Sequence, residues 1–136
     1  MNADAPPIAA DHSRLELDSL SGRVIGAAFR VSSTLGRGFL EKVYENSLVH
    51  ELRRAGLQVD QQRPVQVRYD GEIVGDYVTD ILVEHAIILE IKASAGLDHS
   101  HYSQCANYLR ATGLRVCLLL NFGRSRLEWK RIVRNF

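Results

Sequence analysis

The stretch AIILEIKAS, at residues 86 to 94, constrains the fold more than any other part of this sequence. A short run so rich in Ile and Leu predicts a strand that is buried on both faces, as in the middle of a sheet covered by helices. Glu90 and Lys92 nevertheless lie within it, and because side chains alternate along a strand, both point to the same face. A buried carboxylate needs a partner, so the strand that predicts the core also predicts a candidate site.

Two helical patterns precede this strand. Asp18 or Ser19 is a candidate N-cap, and after it apolar residues recur at helical spacing from Leu20 to Leu35. After a break at residues 36 to 38, a second apolar stripe runs from Leu40 to Ala55 and is closed by a glycine. We expect the two helices to form a hairpin.

The region from residue 57 to residue 94 has the period of two that is typical of strands. Turn signals at Asp70-Gly71 and near Glu84-His85 divide it into a meander of three or four strands. A third helix, capped by Asp98 or Ser100, and two further strands, RVCLLLNFG and RLEWKRIVR, complete the chain. The order α-α-β-β-β-α-β-β predicts an α/β/α sandwich with a mixed central sheet.

Length and composition limit the possible classes of protein. The 136 residues predict one domain over residues 14 to 136, behind a flexible tail at residues 1 to 13. The formal net charge of +1 does not by itself indicate a nucleic-acid partner, so that case rests on local clusters of charge. We find no pattern of a signal peptide or a membrane span, which predicts a cytoplasmic protein without membrane contact. Cys105 and Cys117 lack metal-site spacing and are expected to be reduced core thiols.

The strands VTDILV and IILEIKA are expected to form a hairpin with its loop centred on His85. In that register Val83 faces Ile87, and Asp80 faces Glu90. Like charges directly opposite each other repel, so a cation must lie between the two carboxylates or one of them must keep its proton. The register is an assumption, because a slip of one residue would put the two acids on opposite faces.

Two carboxylates at that separation suit a hard divalent ion such as Mg²⁺, which takes one or two carboxylates and keeps several waters. Lys92 points at the same place, where its ammonium would stabilise negative charge on a reacting phosphate. In the alternative interpretation, Glu90 and Lys92 neutralise each other on a solvated face, and Asp80 caps the start of its strand. The apolar Leu82 and Ile88 share that face, which argues against a solvated one.

The second and third helices contribute further polar side chains. On a helical wheel, Glu41 projects into the apolar stripe of the second helix, where a carboxylate needs a partner. Alternatively, Glu41 is an acid at the helix start that complements the helix dipole. Gln104 and Tyr108 are four residues apart and project together from the third helix. That pair would hydrogen-bond a phosphate or orient a water, or would be an ordinary pair on a helix surface.

The segment GFLEKVY, residues 38 to 44, resembles the G-x-x-E-x-x-Y signature of a family of small bacterial and archaeal proteins. The likeness runs from about residue 21 to residue 133 and includes TDILVEHAIILEIKA, QCANYLRATGLRVCLLLNFG and the final strand. That family is similar to a compact member of the PD-(D/E)XK nuclease superfamily. The resemblance therefore implies a restriction-endonuclease-like α/β/α sandwich.

The resemblance also implies a role for each candidate residue. The ligands of a Mg²⁺ or Mn²⁺ ion would be Glu41, Asp80, Glu90 and the main-chain carbonyl of Ile91. The catalytic groups would be Lys92, the acids Asp80 and Glu90, and the pair Gln104 and Tyr108. Thr79 stands where the superfamily's name has a proline, which is a frequent departure.

These roles predict a metal-dependent phosphodiesterase that hydrolyses DNA or RNA with a metal-activated water. Substrate contacts would come from the basic run RSRLEWKRIVR, with Arg124, Arg126 and Lys130 as candidates, although an edge strand protected by charge has the same pattern. The alternatives are a non-catalytic module that binds nucleic acid or protein, and an enzyme that hydrolyses a small phosphate ester or nucleotide. A homodimer through the first helix or the C-terminal edge strand would supply further binding surface.

Overall fold

The computed structural model describes residues 12 to 136. This part of the chain contains three helices and five strands in the predicted order. The helices are α1 (Arg14–Leu35), α2 (Glu41–Arg54) and α3 (His99–Thr112). The strands are β1 (Val59–Tyr69), β2 (Glu72–Val83), β3 (Ile87–Lys92), β4 (Val116–Asn121) and β5 (Glu128–Val133). The meander therefore has three strands.

The five strands form one mixed sheet in the order β1-β2-β3-β4-β5. β3 and β4 run parallel, whereas all other neighbours are antiparallel. Because β3 and β4 are parallel, their carboxyl ends lie at the same edge of the sheet. Every residue of the central strand β3 except Lys92 is buried, so the strand predicted from AIILEIKAS is confirmed.

Helices cover both faces of the sheet. α1 and α2 pack on one face, where the side chains of the central hairpin are Ile81, Val83, Ile87, Leu89 and Ile91. α3 packs on the other face, against Leu82 and Ile88. Cys105 and Cys117 are buried and free within that second layer. The two-sided burial confirms the predicted α/β architecture.

None of the helices in residues 12 to 136 is both long and apolar enough to cross a membrane.

The start of α1 differs from the prediction. Ser13, and not Asp18 or Ser19, is the N-cap: its hydroxyl accepts the N–H of Glu16, and the Glu16 carboxylate accepts the N–H of Ser13. This capping box satisfies two free N–H groups at once, which extends the helix by more than a turn beyond its first predicted apolar residue. Of the predicted tail, residues 1 to 11 lie outside the described residues, and Ser13 belongs to the folded domain.

The other helix ends and turns follow local chemistry. Leu40 is the N-cap of α2 and is 81% exposed, so it does not belong to the apolar stripe as predicted. Asp98 caps α3, as expected, and Gly113 ends it with a left-handed φ of +77°. In the β1–β2 turn, Asp70 and Gly71 have φ values of +52° and +82°, as a two-residue hairpin turn requires.

Candidate active site

The predicted register of the β2–β3 hairpin is confirmed, because Val83 pairs with Ile87. Three residues before Val83 in β2, the side chains of Asp80 and Glu90 make the hydrogen bonds between the two strands. Oε2 of Glu90 accepts the N–H of Asp80 at 2.9 Å, and Oδ2 of Asp80 accepts the N–H of Ile91 at 2.8 Å. The two acids thus face each other across the hairpin and hold it together with crossed hydrogen bonds.

A break in β1 makes this arrangement possible. β1 pairs with β2 on both sides of Gln62, but Gln62 itself has a φ of +54°, in the left-handed region. A residue in that conformation cannot continue an antiparallel ladder. Asp80 lies opposite Gln62 and has no partner in the register with β1. Its N–H is therefore available for the carboxylate of Glu90.

Burial raises the pKa of both acids. Glu90 is 3% exposed, and its pKa rises to about 8, first because of desolvation and second because Asp80 lies beside it. Burial also raises the pKa of Asp80, against the effect of the hydrogen bond from Ile91. The pair therefore binds either a proton or another cation, as the opposed carboxylates predict.

Lys92 ends β3, half-buried, on the same face as Glu90. Its positive charge lowers the pKa of both Asp80 and Glu90, so the ammonium lies in their neighbourhood. Within residues 12 to 136, however, Lys92 forms no ion pair with a carboxylate. The direct Glu90–Lys92 pair of the alternative interpretation is thus not formed.

Glu41 is exposed, contrary to the prediction that it projects into the apolar stripe of α2. The helical wheel was misleading because α2 begins at Glu41, so no preceding turn exists to bury the side chain. At this position the carboxylate complements the helix dipole. Its charge still raises the pKa of Asp80 and of Glu90, so Glu41 lies at the border of the acid pair.

Glu45 is a buried acid that the sequence analysis missed. Its Oε1 accepts from Nζ of Lys42 at 3.1 Å, and its Oε2 accepts from the side-chain amides of Gln61 at 2.8 Å and Gln62 at 3.0 Å. These bonds attach α2 to β1 at the break that frees Asp80. The charge of Glu45 also raises the pKa of Asp80. Glu45 is therefore a structural neighbour of the acid pair.

Tyr44, the last residue of GFLEKVY, anchors the loop between α1 and α2. Its hydroxyl donates to the C=O of Gly36 at 2.6 Å and accepts the N–H of Phe39 at 3.2 Å. Its buried ring stacks on Phe122 with the ring centres 4.8 Å apart. Gly38, the first residue of the segment, has a φ of +116°, which other residues rarely adopt. The glycine and the tyrosine thus fix the loop from which α2 starts.

Gln104 and Tyr108 form the predicted pair on α3, with Nε2 of Gln104 donating to the Tyr108 hydroxyl at 3.0 Å. Tyr108 is buried, so the pair is not an ordinary one on a helix surface. Desolvation, and then the charge of Glu90, raise the pKa of Tyr108 to about 12. The phenol therefore stays protonated beside the acids, as a hydrogen-bond donor. The exposed ring of Tyr77 packs edge to face against the ring of Tyr108, with the ring centres 6.2 Å apart.

The three basic candidates are all exposed. Arg124 follows β4, and its Nη1 lies 3.9 Å from where a Cβ on Gly96 would lie, beside the loop that follows β3. Lys130 pairs with Leu119, which pairs in turn with Glu90. Lys130 therefore lies at the level of Glu90 and on its face, two strands or roughly 10 Å away. Arg126 lies in the same β4–β5 loop as Arg124.

The sequence matches the model of the PD-(D/E)XK nuclease superfamily over residues 18–132, which is most of the chain. The chain belongs to this superfamily. No curated protein matches the sequence.

Two solved structures share the nuclease fold of the PD-(D/E)XK chain. The crystal structure of SSO0001 superposes with a TM-score of 0.55 at 15% identity, over 90% of this chain and 62% of that one. An alkaline exonuclease (LHK-Exo) from Laribacter hongkongensis superposes with a TM-score of 0.51 at 12% identity, over 95% of this chain and 74% of that one. This chain thus spans less than two thirds of the length of SSO0001. At these identities the likeness shows the fold alone.

Nucleases of the PD-(D/E)XK superfamily typically use divalent metal ions. The donor set here fits such an ion in part. Asp80 and Glu90 each use one carboxylate oxygen for a main-chain N–H, and oxygen ligands suit a hard cation. Among residues 12 to 136, no three His, Cys, Asp or Glu side chains are grouped to hold a metal. The chemistry fits a two-carboxylate site that Mg²⁺ completes with water.

Proposed function

We propose that this protein is a Mg²⁺- or Mn²⁺-dependent phosphodiesterase that hydrolyses DNA or RNA. The observation that supports this function best is the pair of facing carboxylates on the β2–β3 hairpin, the half-buried Asp80 and the buried Glu90, with Lys92 nearby and not paired to them. Membership in the PD-(D/E)XK nuclease superfamily supports the same chemistry. Within the superfamily, GFLEKVY favours the G-x-x-E-x-x-Y family.

In this proposal Asp80 and Glu90 hold the ion, with the main-chain carbonyl of Ile91 as a further ligand. A bound divalent ion would polarise a phosphoryl oxygen and lower the pKa of a water. Lys92 orients the attacking water and stabilises negative charge on the phosphate. Glu41, at the border of the acid pair, is a further candidate ligand of the ion.

The groups around the acids position the substrate. The protonated Tyr108, oriented by Gln104, donates a hydrogen bond to a phosphate oxygen. Arg124 and Arg126 in the β4–β5 loop, and Lys130 on β5, contact the backbone of the nucleic acid. All three basic residues are exposed: the two arginines follow the carboxyl end of β4, and Lys130 lies on the same face of the sheet as Glu90. They supply local positive charge in a chain whose net charge is close to zero.

The experiment is a cleavage assay with labelled DNA and RNA oligonucleotides, single- and double-stranded, with Mg²⁺ or Mn²⁺. We expect cleavage that EDTA abolishes and that Lys92→Ala and Asp80→Asn reduce at least 100-fold, since each removes a group that acts at the phosphate. The exposed Arg54→Ala variant, which loses only a surface ion pair with Glu51, serves as a charge-matched control. Cleavage that is unaffected by Lys92→Ala would contradict the proposal.

A second candidate function has its own observation in support. Because no three metal-ligating side chains are grouped within residues 12 to 136, the acids also suit a non-catalytic module that binds nucleic acid or protein. Binding of an oligonucleotide without cleavage, at any divalent ion tested, would favour the module. Release of product from a small phosphate ester alone would instead favour a nucleotide-sized substrate. A cytoplasmic location and a homodimer remain predictions of the sequence.

A further inference from the structure

Asn121 is a fully buried polar residue at the carboxyl end of β4. Its Oδ1 accepts the N–H groups of Ser94 and Gly123, each at 3.0 Å. Its Nδ2 donates to the C=O of Ser94 at 3.1 Å and to Oε1 of Glu128 at 3.0 Å. Both main-chain groups of Ser94 thus pair with one side-chain amide, as they would pair with a neighbouring strand. Because the carboxylate of Glu128 can only accept, it fixes which end of the amide faces Ser94.

Gly123 packs against the same point of the chain. A Cβ at Gly123 would overlap both the N and the O of Ser94, so no side chain fits at this position. The backbones that leave β3 and β4 therefore touch directly. The LLLNFG segment supplies both the amide and the glycine that this contact requires. We call Asn121, Gly123 and Ser94 the strand-end clamp.

The strand-end clamp lies directly beyond Lys92. The C=O of Lys92 accepts the N–H of Phe122 at 2.8 Å, and Ser94 is held two residues later. The main chain is thus fixed at Lys92 and immediately after it. A lysine stem has four rotatable carbons, so its ammonium is placed only as well as its Cα and the surrounding packing allow.

We propose that Asn121 is a positioning residue for Lys92. This inference rests on the proposed function, because it assumes that Lys92 acts on the phosphate. The Asn121 amide holds the end of β3 against the end of β4, so that the Lys92 ammonium stays directed at the acid pair. Loss of the amide releases Ser94 and lets the end of β3 shift, and a shift of about 1 Å at a reacting group costs roughly 100-fold in rate.

The test is a double-mutant cycle of Asn121→Ala and Lys92→Ala in the cleavage assay, with residual rates measured at high enzyme concentration. We expect Asn121→Ala alone to lower kcat by roughly 10- to 100-fold, with KM and the calorimetric affinity for Mn²⁺ changed less than twofold. In the Lys92→Ala background, Asn121→Ala should have no further effect on kcat, because the group it positions is gone.

Stability is controlled separately. Asn121→Ser keeps a small uncharged hydrogen-bonding group and is used if Asn121→Ala does not fold; it should show the same dependence on Lys92. Ser21→Ala removes a different buried polar group, a hydroxyl in α1 that lies far along the chain from the clamp, and should leave kcat unchanged. Hydrogen exchange at residues 93 to 97 should rise in both Asn121 variants, which reports the release of Ser94 without any activity measurement.

The outcomes separate the two proposals. If Lys92→Ala retains wild-type activity, the proposed function is wrong. If Lys92→Ala is impaired but Asn121→Ala is not, only the positioning role is wrong. An equal loss from Asn121→Ala in both backgrounds, or a loss that appears only in KM, would also overturn the positioning role.

Discussion

At the scale of single residues, Glu90 links stability to pH. Its pKa of about 8 is far above the ordinary 4.5, so between these values the folded state holds a proton that the unfolded state has lost. A folded state that binds more protons loses stability as pH rises. Each pKa unit corresponds to about 1.4 kcal/mol. Without divalent ions, we expect the free energy of unfolding to fall by roughly 2 to 5 kcal/mol from pH 4.5 to pH 8.

Urea titrations at several pH values, in EDTA, measure this dependence. In Glu90→Gln the fall should be much smaller, because the amide cannot lose a proton. Glu72→Gln, at an exposed position on β2, is the matched control and should follow the wild type. If the free energy of unfolding of Glu90→Gln falls with pH as steeply as that of the wild type, another group causes the pH dependence.

In this protein, the sequence predicts the positions of acidic side chains on strands better than the positions of those on helices. Asp80 and Glu90 could be paired because a period of two and a short loop leave little freedom in the register. Glu41 was misplaced because its burial depends on where α2 begins. Glu45 was missed because its partners, Gln61 and Gln62, come from a strand 16 and 17 residues later. No local pattern shows that such amides will meet a carboxylate.

At the scale of elements, Tyr44 connects the loop before α2 to the core. Tyr44→Phe removes the hydroxyl that bonds Gly36 and Phe39 but keeps the ring that stacks on Phe122. We expect a loss of about 1 to 2 kcal/mol in the free energy of unfolding, since two main-chain groups lose their partner. Hydrogen exchange at residues 36 to 40 should increase. Tyr69→Phe, on an exposed ring, should change neither quantity.

The junction of α2 with β1 depends on Glu45. Glu45→Ala removes a buried carboxylate that accepts hydrogen bonds from the half-buried Gln61 and the exposed Gln62 at the break in β1, so we expect a loss of about 1.5 to 3 kcal/mol in urea denaturation. Glu51→Ala on the same helix, whose carboxylate makes only surface ion pairs, should cost less than about 1 kcal/mol. Equal losses in the two variants would show that Glu45 does not hold the break.

At the scale of the whole molecule, the order of elements was predictable and several of their ends were not. A central apolar strand flanked by strands and helices leaves few ways to bury two faces, so the layers follow from the pattern. Helix starts depend on capping, which made Ser13 begin α1 ahead of the apolar stripe. The clamp at Ser94 was invisible because it joins two strand ends 27 residues apart.

Ion binding and folding are coupled through the acid pair, which leads to a prediction for the whole molecule. An ion that binds only the folded state stabilises it, by about 2.7 kcal/mol at 100 times its Kd. Each kcal/mol of stabilisation corresponds to a rise in Tm of roughly 2 to 8 °C. The ion must also displace the proton of Glu90, so the effect should be larger at pH 8.5 than at pH 5.5.

Thermal melts of the wild type in excess Mg²⁺ and in EDTA, at both pH values, test this coupling. The double variant Asp80→Asn, Glu90→Gln should show no shift with Mg²⁺, because neither amide can replace a charged ligand for a hard cation. It should also be more stable than the wild type in EDTA at pH 8.5, since the repulsion between the two acids and the cost of ionising the buried Glu90 are gone. The same Mg²⁺ shift in the double variant would place the ion elsewhere. A wild type without any shift at pH 8.5 would leave the two carboxylates as a proton-binding pair that braces the β2–β3 hairpin.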